Sequence, residues 1–296
     1  MLINPYNIQG EWYKGNLHTH TSNSKCGHYS VEKVIELYTS CEIEYDFLAI
    51  TDHCNLTELA DYFDDKKIIL FQGVEYKRKK FQTLGINISK YYDTLEDNEA
   101  NTQEIIQEVN SQGGISIICH PHMLWDDYWP VEMLNKLSGY KGIEIFNNNV
   151  KMNNAGRALA TDVWDYLLSK GKKIAGFAND DMHIFNRTGG AFNMVLAAER
   201  SRYCIMDGII NDRFYASTGI IIDSIEVAEK AIYIKTSLPV IFRFIGKGPV
   251  ILKEQFGTEA HYICKDNEPY VRVEMIREDG AMAWTQPFYN TMAVKF

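Results

Sequence analysis

The sequence contains no Cys-x-x-Cys pair, no surplus of positive charge and no apolar run near the roughly 20 residues a membrane-spanning helix needs. Each absence removes a class of protein. The six cysteines, at 26, 41, 54, 119, 204 and 264, are scattered, which argues for reduced thiols and against a disulfide framework. The opening Met1-Leu-Ile-Asn-Pro-Tyr has no basic patch leading into a long apolar stretch, so no signal peptide is expected and the chain reads as cytoplasmic. With 39 acidic against 30 basic residues and a net charge of −9, neither a nucleic-acid backbone nor a membrane is expected as the main partner. An anionic small molecule would have to be held by local cations or a metal. Also missing are a Gly-x-x-x-x-Gly-Lys phosphate loop, a Gly-x-Gly-x-x-Gly fingerprint after a strand and a Gly-x-Ser-x-Gly elbow.

What remains is an ordinarily globular chain of 296 residues, 46% hydrophobic, long enough for one large barrel or two domains. Short β-rich apolar runs alternate with helical stretches. Asn16 to Thr21 is a short strand candidate, and Val31 to Cys41 follows with Val31, Val34, Ile35, Leu37 and Tyr38 at helical spacing behind Ser30 as N-cap. Tyr45 to Ile50, Lys67 to Gln72, Phe81 to Ile88 and Ile115 to Cys119 read as strands, the last preceded by a helix over Thr102 to Asn110 and Gly113-Gly114. Gly142 to Phe146 and Lys173 to Phe177 are extended, with a helix over Ala158 to Lys170 between them; Ala191 to Leu196 is a further strand. Repeated strand–helix units predict an α/β fold with a parallel sheet. After Thr218-Gly219 the rhythm changes to short strands between Gly-Lys-Gly, Asp-Asn and Asp-Gly turns. The expected domains are 1–220 and a small β-sandwich-like domain over 221–296.

The chemistry-bearing residues are informative by position. His18 and His20 close the first strand; Asp52 and His53 follow the second; Glu75 follows Phe71-Gln-Gly-Val; His120 follows Ile117-Ile-Cys; Asp181 and His183 come after the strand ending near Phe177. In a parallel barrel all strands open their C-terminal ends on one face, where such residues would converge. A lone histidine at a strand end is more often a hydrogen-bonded core residue than a ligand. Burying this many ionisable groups unpaired would cost several kcal/mol each, however, which favours a bound ion. Imidazole with carboxylate and no thiolate suits Zn(II), Mn(II) or Fe(II).

Taken together, Trp12-Tyr-Lys-Gly-Asn-Leu-His-Thr-His-Thr, Tyr45-Asp-Phe-Leu-Ala-Ile-Thr-Asp-His, Gly73-Val-Glu75, Cys119-His120-Pro121 and Asp180-Asp181-Met182-His183 resemble the motifs of the PHP (polymerase and histidinol phosphatase) superfamily of metal-dependent hydrolases. Phe214-Tyr-Ala-Ser-Thr-Gly and Ala283-Trp-Thr-Gln-Pro-Phe-Tyr are similar to the end of its carbaryl-hydrolase-like branch. The resemblance implies a distorted (β/α)7 TIM-like barrel with up to three divalent ions: His18, His20, Glu75 and Asp181 on the first, Glu75 and His120 on the second, His53 and His183 on the third.

Two positions depart from that pattern. Lys25 stands where an aspartate or histidine usually follows the first motif, and Gln82 where a histidine often precedes a hydrophobic-glycine pair. The first ion site is therefore expected complete, and the second and third each lack a customary ligand. Lys25 either stabilises an anionic substrate directly or is bypassed by Cys26 or His28 as replacement ligand. The implied activity is a phosphoesterase using a metal-bound hydroxide, with Lys25 or Arg187 bearing developing charge. His122 is a candidate acid for the leaving oxygen, against the reading of an exposed loop histidine, and Asp52 is expected to orient a ligand histidine. His28, Asn147 and Arg187 are candidate substrate contacts, each with a plain loop or capping role as the alternative. Trp125, Tyr128 and Trp129 are candidates for a pocket wall, with packing the alternative. A carboxylic or carbamate ester hydrolase and a degenerate, non-catalytic ligand-binding barrel are the rival functions. The sequence sets no oligomeric state.

Overall fold

A computed structural model describes residues 1–77, 80–93, 98–124 and 128–293. The chain runs through β1 (Glu11–Asn16), α1 (Val31–Tyr38), β2 (Phe47–Ile50), β3 (Ile69–Tyr76), β4 (Thr83–Ile86), α2 (Glu99–Ser111), β5 (Ile115–Ile118), α3 (Val131–Lys136), β6 (Gly142–Asn147), α4 (Asn148–Asn153), α5 (Thr161–Ser169), β7 (Ala175–Asn179), β8 (Phe192–Ala197), α6 (Arg202–Ile210) and β9 (Phe214–Ser217). The rest is extended: β10 (Ile222–Ala228), β11 (Ala231–Gly246), β12 (Val250–Ile263), β13 (Tyr270–Ile276), β14 (Met282–Thr285) and β15 (Phe288–Tyr289).

The helical period over 31–38 produces α1. Ser30 accepts a hydrogen bond from the Lys33 amide, and Val31, Val34, Ile35, Leu37 and Tyr38 are buried. β2 is buried at every position, as an unbroken apolar run covered on both faces must be. It lies parallel between β1 and β3.

The alternation predicted an all-parallel sheet, and the structure differs at two places. The connection from β3 to β4 is residues 77–82, too short for a crossover, so β4 returns antiparallel to β3 and pairs antiparallel with β5. β8 is antiparallel to β1. The parallel pairing resumes from β5 through β6 to β7. The strand predicted over residues 16–21 is instead Glu11–Asn16, and His18 and His20 lie beyond its end. That extension is held by single contacts, the Thr51 amide to the Thr19 carbonyl and the His20 amide to the Met182 carbonyl, rather than by a ladder.

The strand order is β10-β11-β13-β14-β9-β8-β1-β2-β3-β4-β5-β6-β7, with no backbone ladder joining β7 to β8. Side-chain amides occupy that seam. Asn193 of β8 accepts from the Ala178 amide at 3.1 Å and donates to the Ala178 carbonyl at 3.0 Å. Gln286, just past β14, makes the same two-way contact with Gly176, both bonds 2.9 Å. The strands after residue 220 were expected as a sandwich-like unit; they continue the same sheet, because β14 pairs with β9 and β13 with β14. Where only short strands were expected, residues 231–246 form the single 16-residue β11, whose register shifts between Lys235 and Val240, where Pro239 interrupts the ladder. Arg272 of β13 makes a buried bidentate pair with Asp165 of α5 at 2.8 and 2.7 Å, fastening this tail to a helix.

Candidate metal centre

At the ends of β1, β2, β3, β5 and β7 the side chains singled out from the sequence converge. Glu75 Oε2 lies 3.1 Å from His18 Nε2, 3.1 Å from His20 Nε2 and 2.9 Å from His53 Nδ1, while Oε1 lies 3.3 Å from His120 Nε2. Asp181 Oδ1 is 3.3 Å from His18 Nε2, 3.2 Å from His20 Nε2 and 3.4 Å from His183 Nδ1. The His20 and His183 rings stack at 4.2 Å. Among the described residues, three groups have donor atoms close enough to share an ion: His18, His20, Glu75 and Asp181; His20, His53 and His183; and Glu75, Cys119 and His120. His120 and Asp181 hold left-handed backbone conformations, φ 23° and 50°, of the kind non-glycine residues keep mainly where surrounding structure enforces them.

Deeper partners fix which ring nitrogen faces the centre. His18 Nδ1 donates to Glu144 Oε1 at 2.7 Å, so its Nε2 lone pair points toward Glu75 and Asp181. Ser24 Oγ donates to Asp52 Oδ1 at 2.7 Å and accepts from His20 Nδ1 at 3.2 Å, which leaves His20 Nε2 as a second lone pair on the same side. His183 Nδ1 donates to the Asp181 carbonyl at 2.9 Å. Asp52 also accepts from the Thr21 amide and hydroxyl and from Thr57 Oγ1. It thus reaches His20 through Ser24 rather than touching a histidine.

The electrostatics demand positive charge here. Burial works against protonation of His18, yet Asp181, Glu144 and Glu75 hold its imidazole well above the ordinary value. Burial likewise opposes the charge on Asp181, but His18 and His20 keep it far below the usual carboxylate range. Glu75 is held low in the same way, by His53 and His18 against its burial. His183 is pushed down to about 3, by burial and then by the neighbouring His20. Among the described residues, His20 Nε2, both nitrogens of His53 and Asp181 Oδ1 are buried without a hydrogen-bond partner. Lone pairs of imidazole and carboxylate facing one another at such distances fit a divalent cation.

Above the centre opens a cavity of about 330 Å³, lined by His53, Glu75, His120, Asp181 and His183 together with Cys26, His28, Lys77, Gln82, Asn149 and Arg187. Lys25, read as a cation for an anionic substrate or as a position bypassed by Cys26 or His28, is exposed and not among the lining residues, whereas Cys26 and His28 are. Two successive turns, Ser24 amide to Thr21 carbonyl and Gly27 amide to Ser24 carbonyl, shape the segment carrying it. His122 is also elsewhere: its Nε2 bonds Asp162 at 3.0 Å, its ring packs 4.8 Å from Tyr128, and it does not line the cavity. Asn147 is buried and holds carboxylates, donating to Glu144 Oε2 at 2.9 Å and Asp181 Oδ2 at 3.3 Å, while its carbonyl caps α4. Arg187 lines the cavity with its guanidinium held by Asn149 and by Asn153 at 2.6 Å. Trp129 packs on Phe81 at 4.9 Å, in the core; Trp125 lies outside the described residues. Asp180 faces away from the histidines, accepting from Gly189 and Ala191 amides and from Tyr38, and burial pushes it up to about 7 against those donors.

Three participants escaped the sequence reading. Glu144 accepts from His18, the His120 amide, Asn147 and Asn179. Ser24 bridges Asp52 and His20. Lys77, two residues past Glu75, supplies the cavity with the cation expected from Lys25. For Lys77 a signal existed: it shares the alternation of β3 with Glu75.

No protein-family profile matches the sequence, and no curated protein matches it. Among solved structures, 94% of the chain is similar to 95% of a two-domain protein containing a predicted PHP-like metal-dependent phosphoesterase from Bacteroides vulgatus, with a TM-score of 0.54 and 16% identity. Weaker likenesses are to PsfC from Pseudomonas syringae (TM-score 0.46, 12% identity, 68% of this chain and 88% of that one) and to Endonuclease Q in complex with a 27-mer duplex bearing an abasic lesion (TM-score 0.49, 16% identity, 67% and 56%). The first likeness shows a shared fold. Among the described residues no helix is long and apolar enough to cross a membrane.

Proposed function

We propose that the protein is a metal-dependent phosphoesterase acting on a small anionic substrate. The observation that carries this reading is the set of unpartnered lone pairs on His20, His53 and Asp181 gathered around Glu75 at the floor of an open cavity. His18, His20, Glu75 and Asp181 would hold one ion, Glu75 and His120 a second, and His53 with His183 a third. Divalent ions at such a donor set lower the pKa of coordinated water toward neutrality and offset charge on phosphoryl oxygens.

The chain's own residues do the rest. Glu144 fixes the His18 tautomer, and Asp52 through Ser24 fixes that of His20. Lys77 and Arg187 give the cavity positive charge for an anion, and Asn149 and Asn153 hold Arg187 in place. His28 lines the same cavity as a further substrate contact. The strands after residue 220 brace the seam at β7 through Gln286. The fold shared with a protein described as containing a predicted PHP-like metal-dependent phosphoesterase supports the choice of phosphorus over carbonyl carbon.

The test is hydrolysis of p-nitrophenyl phosphate, bis(p-nitrophenyl) phosphate and p-nitrophenyl acetate by chelator-treated protein, alone and after adding Mn(II) or Zn(II). Ion-dependent release from a phosphate ester is expected. Turnover of the acetate alone would transfer the activity to carboxylic esters, and no turnover of any would reject catalysis on these classes.

A further inference from the structure

The two oxygens of Glu75 meet different company. Oε2 faces His18, His20 and His53, whereas His120 approaches Oε1. On the Oε1 side the donor atoms of Glu75, Cys119 and His120 lie within 4.8 Å of one another, and all three residues are buried. The placement follows from strand alternation. Ile115, Ile117 and Cys119 share one apolar cluster with Ile69 and Phe71, so Cys119 and Glu75 continue the inward faces of β5 and β3. β4 lies between those strands, and the Gln82 carbonyl just before it accepts the Cys119 amide at 3.1 Å. The hydrogen bond that the thiol donates to the Ile117 carbonyl is weak, 3.9 Å.

We propose that Cys119 is the third protein donor, with Glu75 and His120, to the second ion, which directs that position toward Zn(II) or Fe(II) and away from Mn(II) and Mg(II). Thiolate is a soft ligand that the oxygen-preferring ions disfavour. On loading, the S–H bond breaks, its proton passes to solvent and a metal–sulfur bond forms, with no change of oxidation state. The proposal rests on the metal-centre reading above and adds a ligand that the strand-end pattern of imidazoles and carboxylates did not include.

Cobalt(II) titration of the chelator-treated full chain separates the two. Visible d–d absorption accompanied by a near-ultraviolet thiolate-to-cobalt charge-transfer band is expected, with the band lost in Cys119→Ser and kept in Cys26→Ser, a cysteine that lines the cavity beside Glu75 and His120. Bound cobalt without the band, or a band that survives Cys119→Ser, overturns the assignment of Cys119 and leaves the metal centre standing. No cobalt bound by the unaltered protein overturns the metal centre itself. Should Cys119→Ser fail to fold, X-ray absorption of the zinc-loaded unaltered chain decides: a sulfur neighbour at about 2.3 Å supports the ligand, and only lighter neighbours refute it.

Discussion

Glu144 Oε1 accepts a 2.7 Å hydrogen bond from His18 Nδ1, and both residues are fully or almost fully buried. This one contact commits the imidazole: with the proton on Nδ1, only Nε2 remains to meet Glu75 and Asp181. The other Glu144 oxygen accepts the His120 amide at 2.8 Å, so the same carboxylate also anchors a second strand end.

Replacing Glu144 by Gln keeps the volume but removes the anionic acceptor and lets the His18 tautomer relax. Ion affinity should fall about 10- to 100-fold, as for other partners of metal-bound histidines. Competition with a chromogenic chelator measures it; an unchanged affinity would remove Glu144 from the centre.

Lys77 and Lys25 make opposite predictions. A charge-assisted contact to substrate is worth about 1.5 kcal/mol at the low end, so Lys77→Ala should raise KM for a phosphate ester roughly tenfold with a smaller change in kcat. Lys25→Ala should leave both within about twofold, since its side chain stands outside the cavity. His122→Ala should behave like Lys25→Ala in kinetics. Equal KM values for the two lysine variants would put the anion elsewhere.

The response to pH has a definite sign. In ion-free protein the imidazoles of His18, His20 and His120 sit above their ordinary 6.5, because nearby carboxylates outweigh burial. Their contribution to stability is fully present below pH 6.5 and is lost as pH rises through the raised values. Glu75 and Asp181, held low, contribute above their ordinary 4.5 and 3.8 and lose that contribution as pH falls. His183, pushed down to about 3, and His53, lowered by burial, oppose the gain below 6.5. A cation replaces the protons that the three raised rings lose. The rise in Tm on adding Zn(II) should therefore be larger at about pH 8.5 than at about pH 6. Calorimetry with and without chelator reads this, and an equal rise at both would contradict it.

Arg272→Ala would leave Asp165 buried without its bidentate partner, at a cost of about 3–5 kcal/mol in urea unfolding. Arg272→Leu combined with Asp165→Leu should recover most of that loss. A single variant as stable as the unaltered protein would mean that the pair does not fasten the tail.

Some of this centre was legible before any coordinates. His18, His20, His53, Glu75, His120, Asp181 and His183 announce themselves because each ends or follows an apolar run, and side chains at strand ends have one face on which to meet. Glu144 did not, since a single acid inside Gly142-Ile-Glu-Ile-Phe reads equally well as an outward-facing strand residue. Asn147 was a candidate substrate contact and His122 a candidate acid for the leaving oxygen; Asn147 instead holds Glu144 and Asp181 and caps α4, and His122 pairs with Asp162. Lys25 fell outside because motif spacing counts residues and not the turns between Thr21 and Gly27.

The linear pattern alone determined which residue types alternate, hence the strand–helix rhythm, the capped helix at 31 and the roster of donors. Tertiary structure decided the rest: that β4 and β8 run antiparallel, that amides of Asn193 and Gln286 occupy the seam beside β7, and which nitrogen of each imidazole faces inward. The reason is range. Periodicity and capping are set by neighbours a turn or two away, whereas strand direction, ring tautomer and the field at a buried carboxylate depend on groups more than a hundred residues distant, as His18 and Glu144 are.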